Sequence, residues 1–243
     1  MQLDDTKLQF DEKGNLRHFL SLKGIGAELL TQLLDDAERY LAAPGALPIR
    51  SQSLAGRTVG NLFFEPSTRT RASFDLAGRR LGADVLNLDV NTSSRKKGES
   101  ILDTIYTLEA MHVDIMVVRD ASDGVPAYIA RHVNDHISVL NAGESDVSHP
   151  TQGLLDLMTI RQHNDDFRNM TVAIVGDIQH SRVAMSASEA LQTMGIGELR
   201  LVSPAALAPD ADRFPGAHMV DNLADGLKDA DVVMALRIQR ERI

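Results

Sequence analysis

The apolar pattern of this chain switches repeatedly between two periods, and that alternation limits the folds open to it. Short β-rich runs stand at 57–64, 83–88, 114–119 and 137–141, with amphipathic stretches at 71–81, 100–112 and 125–134 between them. A strand repeats every 2 residues and a helix every 3.6, so each switch marks a new element. Strands that each feed a helix pair in parallel, because the crossover returns the chain to its starting edge. A parallel sheet is in turn covered on both faces. A further helix precedes the first strand at 27–41, where Leu29, Leu30, Leu33, Leu34, Ala37 and Leu41 form one stripe. Pro126 suits the first turn of the helix at 125–134.

A second series follows. A helix at 151–162 gives way to a polar break at 162–169, then strands at 171–175, 199–202 and 232–236, with a helix at 183–194. The expected fold is α/β, two doubly wound domains with parallel sheets, residues 1–150 and 151–243, meeting near Pro150. The second is expected to be incomplete: its last strand ends near Leu236, no closing helix follows before Ile243, and roughly 95 residues is small for a domain.

Composition narrows the function. The formal net charge is −9 over 243 residues, which disfavours nucleic acid and anionic membrane surfaces as partners. An anion site would need a local basic cluster. There is no cysteine, so disulfides and thiolate metal sites are excluded. No apolar run reaches the roughly 18 residues of a transmembrane helix, and residues 1–13 are too polar and acidic for a signal peptide. A cytoplasmic protein is expected. The eight histidines are scattered without paired spacing, so no metal site and no cofactor are expected.

Residues 63–71 read Phe-Phe-Glu-Pro-Ser-Thr-Arg-Thr-Arg. Pro66 disfavours helix at Glu65, so a turn follows the strand, and Ser67 or Thr68 can cap the next helix. The free N–H groups and the dipole of a helix start favour an anion. Three hydroxyls and two guanidinium groups in one short string exceed what a cap needs, although a capped helix with solvated arginines has the same letters. Arg119 ends a strand, where open α/β sheets place ligands. The string Ser148-His149-Pro150-Thr151-Gln152 sets a histidine just before a helix. The second series opens Val172-Ala173-Ile174-Val175-Gly176-Asp177, and the next glycine is Gly195, so a dinucleotide fingerprint is absent. Arg182 follows at Gln179-His180-Ser181-Arg182, and the chain ends through Leu236-Arg237-Ile238-Gln239-Arg240-Glu241-Arg242, which by itself reads equally as a charged surface turn.

These strings, in this order, resemble the aspartate/ornithine carbamoyltransferase family, and the resemblance runs from about residue 16 to 243. It implies that Ser67, Thr68, Arg69 and Thr70 hold the phosphate of carbamoyl phosphate. Arg119 would bridge phosphate and carbonyl oxygen, His149 would donate to that oxygen, and Gln152 would bind the carbamoyl amino group. Asn91-Thr92-Ser93-Ser94-Arg95-Lys96-Lys97-Gly98-Glu99 resembles a loop that the aspartate branch inserts into a neighbouring subunit. Ser93 and Lys97 would then act in trans within a homotrimer with shared active sites. Arg182 would take the α-carboxylate of L-aspartate, and Arg237 and Gln239, with Lys97, its side-chain carboxylate. An arginine there would repel the cationic side chain of ornithine.

The implied reaction moves the carbamoyl group of carbamoyl phosphate to the amine of L-aspartate, giving N-carbamoyl-L-aspartate and phosphate, an early step of pyrimidine biosynthesis. Arg69, Arg119, Arg182, Arg237 and Lys97 would offset the charge of the substrates. Thr70, Arg119 and His149 would be catalytic, stabilising the oxyanion by ~3 kcal/mol per donor. The family pattern continues with a His-Pro-Leu-Pro loop and a terminal helix that this sequence lacks. The resemblance therefore also leaves the alternative of a truncated, non-catalytic assembly or carbamoyl-phosphate-binding subunit. Relatives with an N-terminal stretch like residues 1–17 sometimes associate with a regulatory or dihydroorotase-like partner chain.

Overall fold

The computed structural model describes residues 6–89 and 100–239. Two compact units are formed, one from Met1–Ser21 with Asp35–Ser145, the other from Leu22–Leu34 with Asp146–Ile243. Each holds a four-stranded, all-parallel sheet with flanking helices, the α/β arrangement that the period switching implies. Among the described residues no helix is long and apolar enough to cross a membrane.

In the first unit, β1 (Thr58–Phe63), β2 (Asp84–Asp89), β3 (Ile115–Asp120) and β4 (Ser138–Glu144) lie in the order β2-β1-β3-β4. The middle strands β1 and β3 are buried almost throughout, which is why they read as continuous apolar runs. Asn61 breaks that run yet is fully buried. Its amide donates to Asn87 Oδ1 at 2.9 Å across the β1–β2 pair, and Asn87 donates to Asp75 Oδ1 at 2.7 Å. Asp75 lies on α2 (Thr68–Arg80), which reaches the sheet through Gly78: a Cβ there would stand 2.8 Å from Val85. Two more helices complete the unit, α3 (Ile101–Ala110), with a capping box between Ser100 and Asp103, and α4 (Val125–Ala130). Helix α2 starts three residues before the expected 71, and α4 is shorter than 125–134.

In the second unit the order is β7-β6-β5-β8, from β5 (Thr171–Val175), β6 (Glu198–Val202), β7 (His218–Val220) and β8 (Val232–Ala235). Helices α5 (Pro150–Arg161) and α6 (Arg182–Thr193) pack on each other. Gly153 makes that contact, since a Cβ there would meet the Ser186 carbonyl at 2.9 Å and Leu22 at 2.6 Å. Leu22 belongs to the segment that joins this unit, together with most of the first helix, α1 (Ala27–Glu38), whose Leu30 and Leu34 are buried. Sequence reading had left 22–34 with the residues around it in the chain, because periodicity shows that a face is apolar and not which core it enters.

The same junction holds a buried acid. Glu189 on α6 lies 3.9 Å from the Lys23 ammonium. Burial pushes its carboxyl up to about 7, the Lys23 charge and the Leu22 backbone opposing. A carboxyl raised above its unfolded value stabilises the fold fully below about 4.5 and loses that contribution as pH rises through about 7. Glu189→Gln stays neutral at every pH. It should match the parent in urea unfolding at pH 4.5 and exceed it at pH 8 by on the order of 2 kcal/mol. An equal difference at both pH values would contradict the burial of this carboxyl.

Candidate active site

The first unit gathers its polar groups where β1, β3 and β4 end. Because the strands are parallel and Phe63 pairs in register with Arg119, both chain ends emerge at one edge. The β3–β4 register shifts between Val118 and Asp120, an irregularity of the kind that re-aims a side chain. Here it spans Arg119. Its guanidinium is only 11% exposed and meets three groups: Glu65 Oε1 at 2.6 Å, Thr70 Oγ1 at 3.4 Å and the Ala142 carbonyl at 3.1 Å. Thr70 and Arg119, far apart in the chain, are thus brought together as expected residues of one site. Glu65 is the partner that sequence reading passed over. An acid inside an anion-binding string was its signal.

Ser67 occupies the N-cap of α2 with extended backbone, but its side chain makes no cap hydrogen bond. Of the two hydroxyls expected as caps, Ser67 takes the position without the hydrogen bond and Thr68 is the first helical residue. The first-turn N–H groups of α2 therefore keep their donors for another acceptor. A cavity of about 490 Å³ opens there, lined by Ser67, Thr68, Arg71, Asp75 and Asn87 among others. Arg71 lies over the Phe63 ring, 5.3 Å from its centroid. Arg69 is exposed on the second residue of α2. Hydrogen bonds from Arg79 and Asn87 hold the Asp75 carboxyl below its ordinary value. The result is a cavity lined by the start of α2, the Ser67 and Thr68 hydroxyls, the Arg71 guanidinium, and the carboxylates of Glu65 and Asp75.

The second unit carries a separate group. His149 is the N-cap of α5 and is buried. Its N–H donates to Ser186 Oγ on α6 at 2.8 Å, and its Nδ1 stands 3.4 Å from Thr151 Oγ1. Gln152, on the same first turn, donates from Nε2 to Asp156 Oδ1 at 2.9 Å. Arg182 opens α6 and is buried, behind Ser181, whose hydroxyl caps the helix by accepting from Ala184 N–H.

Arg237 and Gln239 follow β8; Arg237 is exposed and Gln239 half-buried. Their segment is tied to the end of β5 by Leu236 N–H to Val175 O at 2.7 Å and by Gln239 N–H to Asp177 Oδ2 at 3.0 Å. Asp177 is fully buried and its other oxygen stands 2.9 Å from His180 Nδ1. Gly176 permits the close approach, with positive φ and the Leu236 carbonyl where a Cβ would stand. Asp177, Ser186 and Asp156 were not singled out from sequence, although Asp156 lies at the i+4 position from Gln152. Ser93 and Lys97 lie outside the described residues. Among the described residues no three His, Asp or Glu side chains are grouped to hold a metal ion.

Residues 17–162 match the family described as aspartate/ornithine carbamoyltransferase, carbamoyl-P binding domain. Solved structures agree along more of the chain. The catalytic subunit of aspartate transcarbamoylase from M. jannaschii is 32% identical, with 94% of this chain and 76% of that chain covered and a TM-score of 0.80. Aspartate transcarbamoylase from Trypanosoma cruzi, in complex with N-(phosphonacetyl)-L-aspartic acid, is 29% identical over 93% of this chain and 74% of that one, with a TM-score of 0.82. Ornithine carbamoyltransferase from Thermus thermophilus gives 26%, 94%, 76% and 0.80. With well over half of the sequence matched by the family and its expected strings standing at strand ends and helix starts, this chain belongs to the aspartate/ornithine carbamoyltransferases.

Proposed function

We propose that the chain transfers the carbamoyl group of carbamoyl phosphate to the amine of L-aspartate, an early step of pyrimidine biosynthesis, in the cytoplasm. The observation that carries this reading is Arg119 lodged between Glu65, Thr70 and the Ala142 carbonyl at the edge where α2 begins. A cation, a hydroxyl and a helix N-terminus beside one cavity suit a phosphate joined to a carbonyl. In this reading the first unit is the carbamoyl-phosphate domain, with Ser67, Thr68, Arg69, Thr70 and Arg119 on the phosphate and carbonyl. The second is the aspartate domain, with Arg182 on the α-carboxylate and Arg237 and Gln239 on the β-carboxylate. His149 and Gln152 meet the carbamoyl oxygen and amino group.

The aspartate amine attacks the carbamoyl carbon, and charge develops on the carbonyl oxygen. Thr70, Arg119 and His149 donate to it, a role worth ~3 kcal/mol per donor. The carbon–oxygen bond to phosphate then breaks, and the departing phosphate takes the amine proton. Glu65 has to yield Arg119 to the incoming dianion, since the carboxylate and the phosphate compete for the same donors.

Labelled carbamoyl phosphate offered with aspartate or with ornithine tests the acceptor: label should pass to aspartate alone, and passage to ornithine would overturn the assignment. Arg69→Ala should remove measurable transfer while circular dichroism stays unchanged, because a charge-assisted pair to a dianion is strong and hard to replace.

Acceptor choice should rest on Arg237. Its loss should raise the aspartate KM by about tenfold or more, the value of one charge-assisted pair, and leave the carbamoyl phosphate KM within about twofold. Equal changes in both would show that Arg237 does not read the acceptor.

The basic loop with Ser93 and Lys97 supports a homotrimer whose sites are shared, with one face donating the loop and another receiving it. Lys97→Ala and Arg69→Ala, each inactive alone, should then complement. In randomly mixed trimers about a quarter of the sites would pair an intact Arg69 with a neighbour's intact Lys97. Mixed trimers that form and stay inactive would end the shared-site reading.

A further inference from the structure

Gln152 and Asp156 lie one turn apart on the same face of α5, and the Gln152 Nε2 donates to Asp156 Oδ1 at 2.9 Å. Asp156 Oδ2 is buried and accepts no hydrogen bond among the described residues. A carboxylate only accepts, whereas a carboxamide has a donating prong and an accepting one. Turning the Gln152 amide over would bring Oε1 against a carboxylate oxygen, two acceptors at hydrogen-bonding distance. The negative charge of Asp156 therefore fixes which prong faces it, and Oε1 is left facing away as a pure acceptor.

We propose that Asp156 is a positioning residue that holds Gln152 as an acceptor for the carbamoyl amino group, and so makes the site prefer a carbamoyl donor over an acetyl one. This rests on the reading that Gln152 meets that amino group. A carbamoyl group offers N–H donors where an acetyl group offers a methyl, and only a correctly turned Oε1 can tell them apart. A free amide would present its own NH2 for part of the time, facing donor with donor. The negative charge thus acts through an uncharged intermediary, without lying against the anionic substrate.

The preference should depend on pH. Burial pushes the Asp156 carboxyl up to about 6, with the Gln152 hydrogen bond opposing. Above that value the carboxylate accepts from Nε2. Below it the protonated acid can donate to Oε1, and both amide orientations become acceptable. The other charged or titratable groups on α5 and α6 are few. His149 and Arg161 stand at the two ends of α5, Arg182 and Glu189 are on α6, and Lys23 pairs with Glu189 at 3.9 Å. Glu189 titrates near 7, so an isosteric change at 156 is needed to separate the two.

The test is calorimetric binding of phosphonoacetamide and acetonylphosphonate to the whole chain, between pH 5 and 8. The two ligands differ only in NH2 against CH3 on the carbonyl, so titration of their common phosphonate cancels in the ratio of affinities. The ratio should favour phosphonoacetamide above pH 7 and fall about fivefold by pH 5, the worth of one hydrogen bond. In Asp156→Asn, which offers either prong and does not titrate, the ratio should be about fivefold lower and flat with pH. An Asp156→Asn protein that melts like the parent and keeps the parental ratio and slope would overturn the proposal. Should neither ligand bind the parent, the carbamoyl phosphate reading itself fails. The coupling is then decided by the Gln152 side-chain amide in 15N NMR. Resonances that titrate near pH 6 in the parent and not in Asp156→Asn uphold it, and resonances flat with pH in the parent refute it.

Discussion

A guanidinium only 11% exposed at the end of a parallel sheet is the constraint around which the first unit is arranged. Taking Arg119 out of water costs several kcal/mol unless its donors are met. Three different elements meet its two terminal nitrogens: the turn after β1 through Glu65, α2 through Thr70, and β4 through the Ala142 carbonyl. Each of these positions follows from parallel pairing. An antiparallel β1–β3 pair would send the Arg119 end of β3 and the Glu65 end of β1 to opposite edges. The register shift at Arg119 then turns the side chain toward the groups that satisfy it.

Sequence reading recovered what depends on local pattern. The runs at 171–175 and near 58–63 became strands almost residue for residue because both are buried along most of their length, which keeps them largely apolar apart from Asn61. The strand β7 was missed: it is three residues long, His218 and Met219 are exposed, and a sheet edge imposes no alternation. The start of α2 was placed at 71, since apolar periodicity begins only after the polar turn that forms the helix end. Thr68, Arg69 and Thr70 are helical for the same reason they were read as an anion motif. Their donors belong to an open helix start.

The supporting residues were harder to see, and the reason is distance along the chain. Arg119 and Glu65 are separated by 54 positions, and Gln239 is anchored to Asp177 from 62 positions away. No period connects them; only strand order does. Asp177 is fully buried. It is held by the His180 N–H and ring and by the Gln239 N–H. A carboxylate in that position joins the β5 and β8 ends, so the segment bearing Arg237 and Gln239 inherits the rigidity of the sheet.

The proposed reaction asks an acidic protein to take two anionic substrates, an apparent conflict that screening resolves. The formal charge of −9 is spread over the whole chain. At physiological ionic strength each exposed charge is felt over roughly 8 Å. A dianion in the cavity of the first unit therefore responds to what lies beside it. Those neighbours are the first-turn N–H groups of α2, the Ser67 and Thr68 hydroxyls, Arg71 held over Phe63, and Glu65, whose charge is paired with Arg119. Asp75 subtracts from that local balance, but its charge is already engaged by Arg79 and Asn87. Partly buried cations interact in a lower dielectric than surface carboxylates do, so a few guanidinium groups outweigh a larger number of distant acids. An acidic surface is therefore compatible with a local site for anions.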